Sequence, residues 1–251
     1  MVAQLCTERG IAHAALRCEI VRKGNLQANA RAARYAALGE WASERGLAAI
    51  ITAHHRDDQA ETLLMRLNRG AGVRGLAGMR SVAAVPGSLE MPLLRPLLSW
   101  SRAELAEIVT RSGLVPAEDS SNRDTRFERV AVRQAMAEAG WLDPAALAAS
   151  AEHLAEADET LAWAASREWD ERVERRPEGF TYRPSAPRAI RLRVLGRILA
   201  ELGKEGVPRG SEVARLDRCL AGSGTATLAG VRASADSGNW TFIPAPPRRT
   251  G

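Results

Sequence analysis

Apolar positions along this chain keep changing rhythm, from runs that suit a strand to the 3–4 spacing that suits a helix. His13 to Ile20 reads as a strand. From Asn29 to Arg45, Ala30, Ala33, Ala37, Leu38 and Trp41 recur at helical spacing until Gly46 stops the run, which predicts an amphipathic helix. The short apolar stretch Ala48 to Thr52 predicts a buried strand. A helix from about Asp58 to Arg69 follows, burying Leu63, Leu64 and Leu67 and ended by Gly70 and Gly72. Met91 to Leu97 is a weaker, proline-interrupted strand. Ser101-Arg-Ala-Glu104 spells a capping box, in which serine and glutamate satisfy each other's free amides, so a helix is expected over 102–112 with Gly113 at its end. Strands alternating with helices through short connections predict a parallel sheet covered by helices, an α/β architecture.

The pattern changes near Gly140. Asp143-Pro144 is a helix start, and Leu147, Leu154 and Leu161, with Ala151, Ala165 and Trp169, trace one apolar face as far as Pro177, giving a long connecting helix. Arg188 to Leu202 and Ser211 to Leu220 read as two more amphipathic helices. Thr225 to Ala235 and Asn239 to Ile243 read as a hairpin turning at Asp236-Ser-Gly238. The expected division is a catalytic α/β domain over 1–140, a helical linker over 141–178 and a small α+β domain over 179–251. The tail from Pro244 is expected to be extended and mobile. No internal repeat is visible.

Composition narrows the class. With 45% apolar and 26% charged residues in 251, disorder is not expected. No stretch approaches the ~20 apolar residues of a membrane span, and the N-terminus lacks a signal-peptide apolar region, so the expected compartment is the cytoplasm. Cys6, Cys18 and Cys219 form no Cys-x-x-Cys and imply neither a disulfide framework nor a zinc or iron-sulfur site. A formal charge of +5 and a pI near 9.7, carried mostly by arginine, permit a phosphate-bearing partner.

The densest chemistry runs from Thr52 to Met79. His54 and Asp58 are four apart, as are Asp57 and Glu61, and Asp58 and Glu61 are three apart, so on a helix these side chains share one rim. The rim suits a cation, a proton relay or an amine. The bland account is a first turn in which Asp58 is the N-cap and Glu61 sits at N3, but it gives the two histidines no purpose. A metal hydrolase would need further ligands, and His13 and His153 lie far off in sequence without a His-x-x-x-His pair. Gly70, Gly72, Gly75 and Gly78 read as a helix stop and turn, and without Gly-Lys-Ser/Thr they form no P-loop. Arg66, Arg69 and Arg74 suit either a solvated face or phosphate contacts. A second cluster, Glu118-Asp-Ser-Ser-Asn122, leads to Arg123, Arg126, Arg129 and Arg133, the last two one helical turn apart.

Four segments in this order resemble the tRNA(Ile)-lysidine synthetases, a family of N-type ATP pyrophosphatases. They are Gly24-Asn-Leu-Gln-Ala-Asn-Ala-Arg31 with Arg34-Tyr35; Thr52-Ala-His-His-Arg-Asp-Asp-Gln-Ala-Glu-Thr62 running on through Arg69-Gly-Ala-Gly-Val-Arg-Gly-Leu-Ala-Gly-Met79; Arg95-Pro-Leu-Leu98; and Glu118-Asp-Ser-Ser-Asn122 with Arg129 and Arg133. The second segment is the most specific. The likeness is clear over about residues 10 to 137, while 180 to 251 is only broadly similar to the family's substrate-binding domain.

The resemblance implies a Rossmann-like ATP pyrophosphatase domain and a two-step reaction. ATP adenylates C2–O of the wobble cytidine of tRNA(Ile), and the ε-amine of free lysine displaces AMP to give lysidine. By motif position it implies His54, Asp58 and Glu61 in the nucleotide and lysine site. Arg129 and Arg133, then Arg31 and Arg34, are implied on phosphates of ATP or tRNA, with Mg2+ accompanying the nucleotide. The family's Ser-Gly-Gly-x-Asp-Ser loop does not occur in the 251 residues; Gly222-Ser-Gly-Thr225 is only a passing likeness. The expectation is therefore an N-terminally truncated domain, through a misassigned start or a fragment, and the alternatives are a pseudogene product or an inactive tRNA-binding remnant.

Overall fold

A computed structural model describes residues 2–21, 24, 26–88, 91–116, 124, 126–203, 206 and 208–246. The motif residue Asn25, the segment Glu118–Asn122 with Arg123, and the tail from residue 247 lie outside them. The described chain divides into two compact units, Met1–Ala155 and Glu156–Gly251.

The first unit carries α1 (Val2–Glu8), α2 (Leu26–Glu44), β1 (Ile50–Ile51), α3 (Arg56–Asn68), α4 (Val73–Leu76), β2 (Val82–Ala84), β3 (Pro92–Leu94), α5 (Arg102–Arg111), α6 (Glu128–Ala139) and the start of α7 (Pro144–Arg172). The α/β expectation holds, but the sheet is mixed. β1 pairs parallel with β3, Ile50 opposite Leu93 and Ile51 opposite Leu94, while β2, which the sequence pattern did not reveal, runs antiparallel on β3's other side. Leu93, Ile50, Val85 and Met91 bury against Tyr35, Leu38 and Ala42 of α2, a small core that fixes the start of α3.

Three local expectations are corrected. His13 to Ile20 has no ladder partner among the described residues. Its alternate residues Ala14, Leu16, Cys18 and Ile20 line a groove with α2: the period-2 pattern is there, but a strand exists only where an edge supplies hydrogen bonds. β1 is only half buried, since Ile51 is exposed. Along α3 it is the first half that goes inside, and Leu67 is exposed.

The second unit contains the rest of α7, β4 (Val173–Arg176), β5 (Gly179–Tyr182), α8 (Arg188–Leu202), α9 (Gly210–Ala221), β6 (Thr225–Leu228), β7 (Val231–Asp236) and β8 (Asn239–Pro244). All its strand pairings are antiparallel, in the order β4-β5-β8-β7-β6. α7 therefore stops at Arg172, short of Pro177, because Val173 to Arg176 pairs with β5. The run Thr225 to Ala235 is two strands, broken where Ala229 and Gly230 both take positive φ. Phe180, Tyr182, Trp240, Phe242 and Val231 pack against Val194, Leu195, Ile198 and Leu199 of α8 and Leu216 and Leu220 of α9. Each such side chain contributes about 1.5–3 kcal/mol by leaving water. Among the described residues no helix is long and apolar enough to cross a membrane.

Candidate active site

The chain leaves β1 at its carboxyl end and turns into α3, the place where α/β sheets present ligand groups. His55 is the N-cap in extended conformation, which corrects the expected cap at Asp58. Asp58 sits instead at N3, and its Oδ2 accepts the His55 amide at 3.0 Å, closing the helix end from the carboxylate side; the His55 Nδ1 is buried without a hydrogen-bond partner. Asp57 Oδ2 accepts the Arg102 amide at 2.8 Å, and the Arg56 amide donates to Trp100 O at 2.9 Å, so the amino ends of α3 and α5 are tied together.

The buried half of α3 holds Ala60 and Leu63 and, between and before them, four polar residues, Asp58, Gln59, Glu61 and Thr62. Buried polar groups persist only when bonded, and each of these has a partner from another segment. Arg133 of α6 meets Glu61 through two bonds, Nε to Oε1 at 2.6 Å and Nη2 to Oε2 at 3.2 Å. Arg129, one turn earlier on α6, spreads over three groups: Nη2 donates to Thr62 Oγ1 at 3.0 Å, Nη1 stands 3.4 Å from Asp58 Oδ1, and Nε stands 3.6 Å from Glu61 Oε2. Gln59 clasps Met79, donating to its carbonyl and accepting from its amide, both at 2.7 Å. Arg66 donates to Gly75 O at 2.6 Å and Gly78 O at 3.1 Å. The glycine-rich exit is thus a loop strapped to α3, Arg66 is a strap, and Arg69 pairs with Glu128.

His54 stands at the mouth of this cluster with Nδ1 2.9 Å from Thr52 Oγ1. Burial lowers its proton affinity; Asp58 opposes that, and Arg95, Arg31 and Arg129 reinforce it. The balance holds the His54 imidazole below its ordinary range, and it is the His55 ring that lies against the carboxylates, with Nδ1 3.6 Å from Asp57 Oδ2 and Nε2 3.6 Å from Asp58 Oδ2.

The structure thus brings together His54, Asp58, Glu61, Arg129 and Arg133. Arg31 stacks on the Tyr35 ring at 5.0 Å, and its charge acts on His54, Arg66 and Arg95. Arg34 also reaches the Tyr35 ring, at 5.8 Å, and lines the groove with Leu16 and Cys18. Arg95, which is 6% exposed, enters the sequence reading only as the head of the Arg95-Pro-Leu-Leu98 segment, and Thr52 and Gln59 only as members of the segment from Thr52 to Met79, none with a role of its own. Five guanidiniums, of Arg31, Arg66, Arg95, Arg129 and Arg133, gather near three carboxylates, Asp57, Asp58 and Glu61, an excess of positive charge that suits a polyanion. Among the described residues no group of three or more His, Cys, Asp or Glu side chains is set to hold a metal.

The chain matches the PP-loop domain family over residues 1–139. It is also similar along its length to tRNA(Ile)-lysidine synthases. That of Novosphingobium aromaticivorans is 52% identical over 252 residues, taking in 100% of this chain and 77% of the relative. That of Zymomonas mobilis is 35% identical, with 99% and 76% covered, and that of a Bradyrhizobium strain is 40% identical, with 99% and 77% covered.

Proposed function

Because the chain belongs to the PP-loop domain family and to the tRNA(Ile)-lysidine synthases, ATP-dependent enzymes of tRNA modification, we propose that it joins lysine to C2 of the wobble cytidine of tRNA(Ile). The observation that carries the reading is the single cluster of His54, Asp58 and Glu61 with Arg129 and Arg133 at the carboxyl edge of β1.

In the first step ATP transfers AMP to the C2 oxygen and pyrophosphate leaves. The surplus guanidiniums hold the phosphates and the charge that develops on them; magnesium carried with the nucleotide would add to that charge neutralisation. In the second step the ε-amine of lysine bonds to C2, the C2–O bond breaks, and AMP leaves. Lysine arrives as an ammonium ion, so it needs a carboxylate to hold it and a base to take its proton. Asp58 supplies the first, with the negative charge of Glu61 behind it, and His54, neutral at rest, supplies the second. Arg133 grips Glu61 at 2.6 Å and fixes the site, whereas Arg129, at 3.4 and 3.6 Å from its carboxylates, is the guanidinium free to turn to phosphate and release Asp58 to the substrate amine.

The test is to incubate the purified 251-residue chain with ATP, labelled lysine and a tRNA(Ile) transcript. AMP and lysine-labelled tRNA are expected in equal amounts, and only with cytidine at the wobble position. Salt-sensitive tRNA binding with no AMP formed would overturn catalysis by this chain in favour of a binding-only protein.

A further inference from the structure

His55 has no role in the chemistry above, yet its ring is the group set between two carboxylates. Its side chain is 18% exposed, with Nδ1 3.6 Å from Asp57 Oδ2 and Nε2 3.6 Å from Asp58 Oδ2, and Nδ1 is buried without a hydrogen-bond partner. Capping does not call for an imidazole. Helix amino ends favour serine, threonine, aspartate or asparagine, whose side chains accept from the first turn, and here it is the His55 backbone amide that bonds Asp58 Oδ2, at 3.0 Å.

The two oxygens of Asp58 are engaged differently. Oδ2 faces His55, through the amide and the ring, while Oδ1 faces Arg129 Nη1 of α6 at 3.4 Å. Asp57, on the other side of the ring, is fixed to α5, because its Oδ2 accepts the Arg102 amide at 2.8 Å. The imidazole therefore lies between a carboxylate anchored on α5 and one that belongs to the charged cluster. A ring nitrogen that carries hydrogen donates to the carboxylate it faces, and an imidazolium donates to both.

When Arg129 turns to phosphate, Asp58 loses its partner on Oδ1. With only the His55 amide left, the carboxylate would swing about its last side-chain bond, a broad and roughly two-fold torsion. Building on the assignment of Asp58 as the carboxylate that holds the lysine ammonium, we propose that His55 is a positioning residue for lysine: its ring, set between Asp57 and Asp58, holds Asp58 by Oδ2, so that Oδ1 is the oxygen presented to the amine. His54 and His55 thereby divide the work, the first taking the proton and the second keeping the carboxylate in place.

The experiment measures lysine-dependent labelling of tRNA by the full chain for wild type, His55→Ser and His55→Gln. Serine is a favoured cap without a ring. Glutamine is not a favoured cap, but its side-chain nitrogen stands as many bonds from Cβ as the ring's Nε2 and donates as that nitrogen does. His55→Ser is expected to raise the KM for lysine about tenfold, the worth of one hydrogen bond to a charged group, with kcat at saturating lysine little changed, and His55→Gln to return the KM most of the way. Capping alone predicts the reverse order, glutamine worse than serine, in Tm as well as in activity. If His55→Ser does not fold, His55→Asn, also a favoured cap, whose amide falls at Nδ1 and not at Nε2, takes its place with the same rise expected. A lysine KM in the serine variant equal to wild type, or a glutamine variant no better than the serine one, overturns the proposal, while labelling by wild type leaves the functional reading standing. A wild-type chain that never labels tRNA overturns the functional reading and the proposal with it.

Discussion

Replacing Arg133 with methionine tests how the carboxylate cluster is held. Glu61 is 3% exposed at its side chain and Arg133 31%. Removing the arginine leaves a buried anion whose nearest remaining cation is Arg129 Nε at 3.6 Å; removing the glutamate leaves two guanidiniums that water already reaches. Breaking a fully buried pair costs about 3–5 kcal/mol, and the partial exposure of Arg133 reduces this to about 2–3 kcal/mol, since water screens the exposed side. For a chain of this size that is a fall in Tm of about 5–10 °C. Glu61→Gln keeps an oxygen for the guanidinium and is expected to cost about 1 kcal/mol. The double variant is expected to fall short of the summed losses by about 1–2 kcal/mol, the signature of residues in contact. Urea or thermal unfolding of the four proteins provides the assay. A loss below about 0.5 kcal/mol in Arg133→Met, or strict additivity, would refute the claim that this pair anchors α6 on α3.

Gly78→Ala is expected to disable the glycine-rich exit, because φ there is +64° and a Cβ would stand 2.7 Å from Gln59 Oε1. Left-handed strain and the loss of the Gln59–Met79 clasp together amount to about 2–4 kcal/mol, readable as a lower urea midpoint with loss of AMP formation; an unchanged midpoint would sink the clasp argument. Glu168 of α7 accepts from the Ser185 amide and hydroxyl, the Ala186 amide and Tyr182 Oη. Burial alone would raise its pKa, and these bonds outweigh it and hold the carboxyl below its ordinary value. A lowered folded value means stability that is fully present above the unfolded carboxyl's range near 4.3 and is lost as the pH falls through the folded value. Glu168→Gln is therefore expected to flatten the acid side of the stability curve of the second unit, measured as urea midpoints by tryptophan fluorescence between about pH 3 and 6; an acid limb as steep as wild type would count against it.

What could be read from sequence was what depends on neighbours along the chain. The Ser101–Glu104 box sits where α5 begins, and the period of α8 gave Arg188–Leu202 as observed. β4 escaped because Trp169 and Val173 continue the i, i+4 apolar spacing of α7, and the turn at Pro177-Glu-Gly179 was the sign that it should stop. The break between β6 and β7 was visible only as a single glycine, Gly230, within an apparent strand. His54, Asp58 and Glu61 were legible because three- and four-residue spacing places them on one rim. That Glu61 meets Arg133, 72 residues away, is a fact of tertiary packing; family likeness suggested both residues for one site, but not that they pair. The burial of Arg95 had no local signal, since arginine is normally at the surface.

α3 gathers these observations into one argument. A helix that served only stability would bury an apolar stripe alone; beside Ala60 and Leu63 this one buries Asp58, Gln59, Glu61 and Thr62 and draws on other segments to satisfy them. Half-satisfied polar interiors are worse than apolar ones, and fully bonded ones fix a single geometry. Here the partners come from α6, from the glycine-rich exit and from the helix's own cap, so the rim can be in place only when all three are docked. The surplus of guanidiniums works against that docking: Arg66, already desolvated, feels Arg31, Arg129 and Arg69, and its hold on its proton is loosened. Burial, hydrogen bonds to carbonyls and the three carboxylates offset part of the repulsion, and the rest is the electrostatic affinity for a phosphate-bearing ligand. A site rigid in its carboxylates and in excess of positive charge is what the proposed reaction asks for: an amine held in one place while a polyanion is brought to it.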